Sequence, residues 1–132
     1  MSASWNDREP IYWQLKERTL AMILDGTLAE GDALPSVRTV ASELLLNPIT
    51  VSKSYQALVD EGLVEKRRGL GMFVCEGAFQ QLIASERKKF LREEWPAMVE
   101  RIRQLGIDVQ ALLEQEQEQE QEQPNTTGEP TE

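Results

Sequence analysis

The chain has 132 residues, of which 40% are hydrophobic, and a net charge of −9 at pH 7. This length corresponds to about one ordinary domain, and the longest apolar runs fall far short of the ~20 residues that cross a bilayer. Because the sequence contains no histidine, it lacks the commonest general base and metal ligand, and we expect no enzyme, no cofactor and no metal site.

The first predicted element is a helix from Pro10 to about Asp25, preceded by an N-terminal extension of residues 1–9. Proline suits the first position of a helix, and Gly26 is a natural stop. The apolar residues of this helix fall near one face, namely Ile11, Leu15, Met22 and Ile23. Residues 27–34 are predicted to form a connector.

Two short helices, joined by a break at Leu45 and Leu46, are predicted next. Ser36 and Asn47 are typical N-cap residues, and Pro48 suits the first turn of the second helix. The spacing predicts that the first helix buries Val37, Val40, Ala41 and Leu44. It predicts that the second helix buries Val51, Tyr55, Leu58 and Val59.

The period then changes to that of short strands, at residues 63–67 and 72–75. The link between them, Arg68-Gly69-Leu70-Gly71, contains two glycines and suits a tight hairpin. Residues 10–76 are therefore predicted to be three helices and a hairpin, the order of a winged helix-turn-helix domain. The predicted fold class is α+β, mostly α, with this domain followed by a short C-terminal helical dimerisation segment.

Residues 77–113 return to helical character. Trp95 and Pro96 are predicted to break or kink this segment, with Pro96 starting a second helix. Residues 114–132 alternate glutamate with glutamine and then become rich in polar residues and proline. This acidic tail is predicted to be disordered beyond a frayed helix end.

The negative charge is unevenly distributed along the chain. Seven glutamates, and no lysine or arginine, lie in residues 114–132, so residues 1–113 carry a net charge of only −2. The net charge of the whole chain is therefore a poor guide to its partner, and it is compatible with a positive face on the rest.

Polar residues occupy the sides of the second short helix that lie away from its buried stripe. A recognition helix enters the major groove with its N-terminal residues first and needs small or polar groups there. These residues are Asn47, Thr50, Ser52, Lys53 and Gln56. The alternative is a three-helix domain with an ordinary solvated face, and the pattern of this helix alone favours neither interpretation.

A basic run, Lys66-Arg67-Arg68, directly precedes Gly69. Cationic residues at the tip of a hairpin are what a wing needs to reach the minor groove or the flanking phosphates. A run of charge is often only a solvated turn. Its place after a helix-turn-helix pattern makes a DNA-binding wing the stronger interpretation.

Three stretches together resemble the DNA-binding domain of the GntR family of bacterial regulators. They are IYWQL at residues 11–15, DGTLAEGDALPSVRTVASEL at residues 25–44, and residues 47–74. A C-terminal segment of only two helices is similar to the YtrA subfamily, in which a short helical segment serves dimerisation. The resemblance implies a sequence-specific transcription regulator whose partner is double-stranded DNA.

The resemblance also implies roles for single residues. Arg38 matches an arginine that contacts DNA from the second helix, and Thr50 matches a residue that contacts a phosphate or a base. Ser52 and Lys53 stand where the family makes further contacts with DNA, and Arg68 and Gly69 match the tip of the family's wing. The predicted DNA-binding residues are Arg38, Asn47, Ile49, Thr50, Ser52, Lys53, Gln56, Lys66, Arg67, Arg68 and Gly69.

The chain departs from the family pattern at two positions. Leu45 stands in the turn between the two short helices, where the family usually has glycine. Glycine tolerates a positive φ cheaply and leucine does not, so we expect this turn to be remodelled. Ile49 stands where a polar residue is common, and an exposed isoleucine there either touches a thymine methyl group or is inert.

The apolar residues of the C-terminal helices are too many to bury on one small domain, which predicts a homodimer. The predicted dimerisation residues are Phe79, Leu82, Ile83, Phe90, Trp95, Met98, Val99, Ile102 and Leu105. Two-fold symmetry would place two recognition helices ~34 Å apart and require a near-palindromic operator. The alternative is that these helices fold back on their own domain.

The predicted function is that of a dimeric repressor that blocks the promoter of its own operon or, as the resemblance implies, of a transporter operon. An effector of unknown identity is expected to release it. The alternative is a winged-helix module that binds another protein without specific DNA binding. A single cysteine, Cys75, and a start that does not resemble a secretory signal predict a cytoplasmic location and no membrane partner.

Overall fold

The structure is a computed structural model that describes residues 4–122. Its α-helices are α1 (Ile11–Leu24), α2 (Val37–Leu44), α3 (Pro48–Asp60), α4 (Ala78–Lys89), α5 (Trp95–Leu105) and α6 (Val109–Glu122), and its strands are β1 (Val64–Arg67) and β2 (Gly71–Val74). The chain divides into two compact units, one that ends at Arg87 and one that begins at Lys88. Over the described residues, no helix is long and apolar enough to span a membrane.

The core of the first unit is built around α3. Both α1 and α2 pack against α3, and β1 contacts it as well. Val51 and Leu58 are completely buried and Tyr55 nearly so, as the spacing of this helix predicts, whereas Val59 is only half-buried. The buried apolar residues of this unit are Leu15, Leu20, Ile23, Leu28, Leu34, Val40, Ala41, Leu44, Val51, Tyr55, Leu58, Leu63, Val64, Val74, Ala78 and Leu82.

Both helices of the helix-turn-helix begin at the predicted caps. The Ser36 hydroxyl accepts a hydrogen bond from the Thr39 amide at 3.0 Å. The Asn47 side-chain oxygen accepts one from the Ile49 amide at 2.9 Å, and Pro48 follows in the first turn. Each cap satisfies an amide that has no partner within its helix, so the start of α3 is fixed by local chemistry.

The wing is an antiparallel hairpin in which Val64 pairs with Val74 and Arg67 with Gly71. The connector before α2 is more ordered than predicted, because it runs beside the second strand. The Leu34 amide donates to the Met72 carbonyl at 2.8 Å, and Ala33 pairs with Phe73 as an isolated bridge. These bonds tie the hairpin to the helical core and hold its direction.

The turn at Leu45 corrects the expectation that this turn is remodelled. Leu45 adopts a left-handed conformation, with φ +57° and ψ +49°, which is the geometry that a glycine would take there. The Leu46 amide donates to the Ala41 carbonyl at 2.9 Å and closes the end of α2. The helix-turn-helix geometry is therefore kept, at a steric cost to the leucine of about 1–2 kcal/mol.

Leu45→Gly is expected to increase the free energy of unfolding by about 1 kcal/mol. The leucine side chain is 89% exposed, so its removal loses little packing and relieves the left-handed strain. Thermal unfolding followed by circular dichroism measures the change as a rise of several degrees in the melting temperature. Leu70→Gly is the matched control, since Leu70 is also exposed but does not have a positive φ. If the Leu45→Gly variant is no more stable than this control, the left-handed conformation of Leu45 is not strained.

The first unit extends beyond residue 76, where the sequence placed the end of the DNA-binding domain. Ala78 and Leu82 of α4 are buried in its core, and the Gln81 side chain donates to the Glu61 carbonyl at 2.9 Å. Leu82 was predicted to serve dimerisation, but it is only 3% exposed within this unit. Its side chain is filling the core of the winged helix and is not available to a partner.

The residues before α1 are anchored to that helix. The Gln14 side-chain nitrogen donates to the Asn6 carbonyl at 2.9 Å and to the Glu9 carbonyl at 2.7 Å, and its oxygen accepts from the Asn6 amide. The Arg18 guanidinium lies over the Trp5 ring at 4.0 Å and donates to the Ser4 carbonyl at 2.5 Å. The described part of the N-terminal extension is therefore packed on α1.

The second unit is helical and exposes many apolar side chains. A π-helical stretch, Phe90–Glu94, joins α4 to α5, so the chain stays helical before Pro96, which lies in the first turn of α5. Asp108 caps α6 by accepting from the Ala111 amide at 3.2 Å, as predicted. From Lys88 to Gln121 no residue is buried.

The acidic tail also differs from its prediction. α6 continues to Glu122, so the first part of residues 114–132 is helical and not disordered. Glutamate and glutamine both have good helix propensity, and the helix that starts after Asp108 extends through them. The rest of the predicted tail, residues 123–132, lies outside the described residues.

Candidate nucleic-acid interface

The exposed side of α3 carries the residues that the sequence assigns to a recognition helix. Ser52, Lys53 and Gln56 are exposed, Thr50 is half-buried, and Ile49 is 74% exposed. They lie opposite the buried stripe, so the packing of α3 into the core determines which side faces outward. Ile49, predicted to depart from the usual polar residue at the start of this helix, presents an exposed apolar group there.

Two of these side chains are held by neighbours. The Lys53 ammonium lies over the Tyr12 ring of α1, 4.2 Å from its centroid. The Gln56 side-chain nitrogen donates to the Asp60 carboxylate at 3.0 Å, one turn further along α3. Lys53 is therefore oriented by a cation–π contact, and the Gln56 amide, which uses one of its two N–H groups for Asp60, keeps the other to donate to another acceptor. Tyr12 was not predicted from the sequence, because this contact joins residues far apart in the chain.

Arg38 lies beside the start of the recognition helix. It is exposed on α2 and lines, with Leu46 and Pro48, a groove between α2 and the first turn of α3. No hydrogen bond or ion pair is found for Arg38 among residues 4–122. Its guanidinium is thus available beside the end of α3 that would enter a groove of DNA.

The three basic residues of the wing differ in their surroundings. Arg67 forms an ion pair with Glu65 at 2.8 Å and lies over the Phe73 ring at 4.2 Å. Lys66 and Arg68 are exposed and, within residues 4–122, have no ion pair. The net positive charge of the wing therefore comes from Lys66 and Arg68.

The tip of the wing is a tight turn. The Leu70 amide donates to the Arg67 carbonyl at 2.9 Å, and Gly69 has φ +75°, which favours glycine at this position. Leu70 is 71% exposed at this tip and was not among the residues predicted to bind DNA. The sequence does contain a sign of this exposure, because Leu70 is a large apolar residue placed between the two glycines of a turn.

A groove brings the wing and the recognition helix together. It is lined by Ser52 of α3, Val37 of α2, and Lys66 and Gly69 of the wing. This groove therefore brings together the predicted residues Ser52, Lys66, Arg67 and Gly69. Arg38 lines the adjoining groove, which shares Val37 with it, and the two grooves form one region of the first unit. This region combines small polar groups with cationic groups, the chemistry that binds phosphates and base edges.

Cys75 is half-buried at the end of the wing. Burial, with the nearby Glu65 carboxylate as a smaller cause, raises the pKa of its thiol. A raised pKa keeps the thiol protonated near neutral pH, and a protonated thiol is a weak nucleophile.

Comparison with known proteins agrees with this geometry. The family model described as bacterial regulatory proteins, gntR family, matches residues 11–74. YtrA of Bacillus subtilis strain 168, an HTH-type transcriptional repressor, is 33% identical over 80% of this chain and 80% of its own length. The chain belongs to the GntR family. YhcF of the same organism, an HTH-type transcriptional regulator, is 32% identical over 86% of this chain and 93% of its own length.

Solved structures confirm the winged helix-turn-helix fold. A GntR family regulator from Listeria monocytogenes has 27% identity and a TM-score of 0.67, over 86% of this chain and 98% of its own. The DNA-binding domain of AraR, solved in complex with operator ORX1, has the same fold, with 24% identity and a TM-score of 0.50 over 57% of this chain and 92% of its own.

Family membership confirms three predictions. The resemblance to the GntR family and its YtrA-like members is confirmed by the likeness to YtrA over most of both chains. The protein is a transcriptional regulator with a DNA-binding domain, and the prediction that it is not an enzyme is confirmed by the same membership.

Proposed function

We propose that this regulator is a dimeric repressor that binds a near-palindromic operator in the promoter of its own operon or of a transporter operon. It would act in the cytoplasm and respond to an effector. The relative YtrA is a repressor, which supports the direction of regulation. The observation that carries the proposal is the cationic and polar region formed by α2, α3 and the wing.

In this proposal α3 enters the major groove with its N-terminal end first. Ser52, Lys53 and Ile49 would then face the base edges and adjacent phosphates, with Ile49 able to contact a thymine methyl group. Arg38 would bind a phosphate or a base beside the start of α3. Lys66 and Arg68 would reach the minor groove or its phosphates from the wing.

Dimerisation is supported by the exposed apolar side chains of the second unit. Trp95, Met98, Ile102 and Leu105 recur at helical spacing and share one side of α5. Trp95 is 39% and Met98 44% exposed, and the rings of Phe90 and Trp95 lie 6.3 Å apart. Because no residue from Lys88 to Gln121 is buried, these helices gain little from folding alone and favour a partner that covers this side.

Binding of the full chain to its own promoter DNA, measured by fluorescence anisotropy over a salt series, tests the proposal. Arg38→Ala is expected to weaken binding by about 1–3 kcal/mol, and Arg38→Ala and Arg68→Ala are each expected to reduce the salt slope by about 1 if the arginine binds a phosphate. Arg87→Ala is the matched control, since Arg87 is exposed on α4 and lines neither of the two grooves of this region.

Equal losses in Arg38→Ala and Arg87→Ala would contradict the assigned interface. Binding that is absent from both the promoter and pooled genomic fragments at low salt, with the dimer intact, would instead favour a protein-binding winged helix.

A further inference from the structure

A cavity of about 310 Å³ lies within the first unit, between α1 and α2. Both helices pack against α3, whereas they make little contact with each other. Their separation leaves space above Tyr55 of α3, which lines the cavity. The cavity shares Pro35 and Tyr55 with the groove between the wing and the recognition helix, but none of the predicted DNA-binding residues lines it.

The walls of the cavity are mainly apolar. The apolar residues that line it are Leu15, Met22, Leu28, Pro35, Val40 and Leu44. Small-molecule sites typically have volumes of about 300–1,000 Å³, with apolar walls and a few polar groups that orient the ligand. The cavity therefore has the size and the lining of a site for a small, largely apolar molecule.

The polar groups of the lining select the head group of that molecule. The Thr19 hydroxyl already donates to the Leu15 carbonyl at 3.0 Å, and the Tyr55 hydroxyl donates to the Pro35 carbonyl at 2.7 Å. Both hydroxyl oxygens can still accept a hydrogen bond but have no further proton to donate. Burial raises the pKa of Tyr55 to about 12, so its hydroxyl stays protonated and committed to Pro35.

The charged residues of the lining point to the same head group. Glu43 is exposed on α2 and, among residues 4–122, has no hydrogen bond or ion pair. Arg18, on the other side, is engaged with Trp5 and the Ser4 carbonyl. A carboxylate and two hydroxyl acceptors favour a ligand that donates hydrogen bonds and carries positive charge.

We propose that this cavity is the effector site, and that it binds a small amphipathic amine whose apolar body lies between α1 and α2 and whose ammonium group pairs with Glu43. The inference deepens the proposed function, since it supplies the effector of a DNA-binding regulator.

The cavity is coupled to the DNA-binding residues through Tyr55. Tyr55 lies two positions after Lys53 on the recognition helix, and its hydroxyl is bonded to the residue before the Ser36 cap of α2. A ligand that separates α1 from α2 shifts α2, and with it Arg38, relative to α3. It therefore weakens DNA binding, and by thermodynamic linkage DNA weakens amine binding by the same factor.

Binding without DNA tests the site itself. Isoamylamine, isoamyl alcohol and 4-methylpentanoate share the 3-methylbutyl group and differ in head group, and each is titrated into the full chain by calorimetry. We expect the amine to bind most tightly and the acid to bind least tightly. Absence of binding by all three at millimolar concentration, or tightest binding by the acid, would overturn the proposal.

Two variants locate the binding. Val40→Met fills the cavity from α2 and is expected to abolish amine binding, whereas Val59→Met, a half-buried position outside the lining, leaves it unchanged. Glu43→Gln keeps the surface shape and is expected to weaken amine binding by about threefold to fivefold without affecting the alcohol. Glu86→Gln is its control. Equal effects in a variant and its control would overturn the site.

The regulatory step is measured separately, by DNA anisotropy with and without saturating isoamylamine. We expect the amine to weaken DNA binding in the wild type and in Val59→Met, but not in Val40→Met. Amine binding without any change in DNA affinity would overturn the effector role. If the wild type does not bind DNA even without amine, the proposed function is contradicted instead. The failure of the effector site and the failure of the proposed function therefore give different results.

Discussion

A variant that carries both Trp95→Lys and Met98→Lys is expected to be a monomer that binds the operator at least ~100-fold more weakly than the wild type. Both side chains lie on the apolar side of α5, and a dimer that covers this side would have to bury two unpaired charges from each protomer. Joining two recognition helices in one molecule typically raises affinity by about 10²–10⁴-fold over one helix, and this gain is lost in a monomer. Sedimentation equilibrium measures the first effect and anisotropy the second.

The matched control is the pair Ala97→Lys and Gln104→Lys. These positions lie on the opposite side of α5, are exposed, and add the same charge. The control is expected to remain a dimer and to bind DNA at least as tightly as the wild type. If the Trp95 and Met98 variant also remains dimeric, α5 does not form the interface. A monomer with wild-type affinity would show that a single recognition helix is sufficient.

The helices of the first unit could be predicted because their signals are local. Ser36 and Asn47 cap the helices that they were predicted to cap, and the apolar spacing identified the buried side of α3. A cap bonds to an amide two or three residues away, and a helical stripe repeats within a few turns, so both are readable in a short window of sequence. The hairpin was predicted for the same reason, from its two turn glycines.

Contacts between distant segments could not be predicted in this way. The bridge between Ala33 and Phe73 turned a predicted connector into a support for the wing. At Leu45 the prediction failed because the tertiary structure fixes the turn, and the leucine adopts the left-handed conformation despite its steric strain. Local preference is overruled at such positions by the packing of α2 and α3 around them.

The candidate site shows the same division. The residue types on the outer side of α3 and in the wing followed from the sequence, but their availability did not. Arg67 is held by Glu65 and Phe73, and Lys53 lies over Tyr12. Two arginines of the same basic run can therefore differ in how much of their positive charge is available to a partner. Only the neighbours in the folded structure distinguish Arg68 from Arg67.

Leu82→Ala is expected to lower the free energy of unfolding by about 2–4 kcal/mol while leaving dimer dissociation unchanged. Periodicity shows that Leu82 is buried but not what buries it, which is why the sequence assigned it to the dimer. In the structure it lies in the core with Ala78, and the start of α4 is bonded to Glu61 through Gln81. Urea unfolding measures the stability, and sedimentation under native conditions measures the dimer.

Leu105→Ala makes the same chemical change on α5, where the side chain is 55% exposed. It is expected to weaken the dimer and to leave the stability of the winged helix almost unchanged, the reverse of Leu82→Ala. The boundary between the two units falls within α4, so Leu82 belongs to the first unit and Leu105 of α5 to the second. The two variants therefore distinguish the stability of the first unit from the dimerisation proposed for the second. A Leu82→Ala variant whose dimer dissociates as readily as that of Leu105→Ala would show that Leu82 lies in the dimer interface. The DNA-binding domain would then end at residue 76, as the sequence predicted.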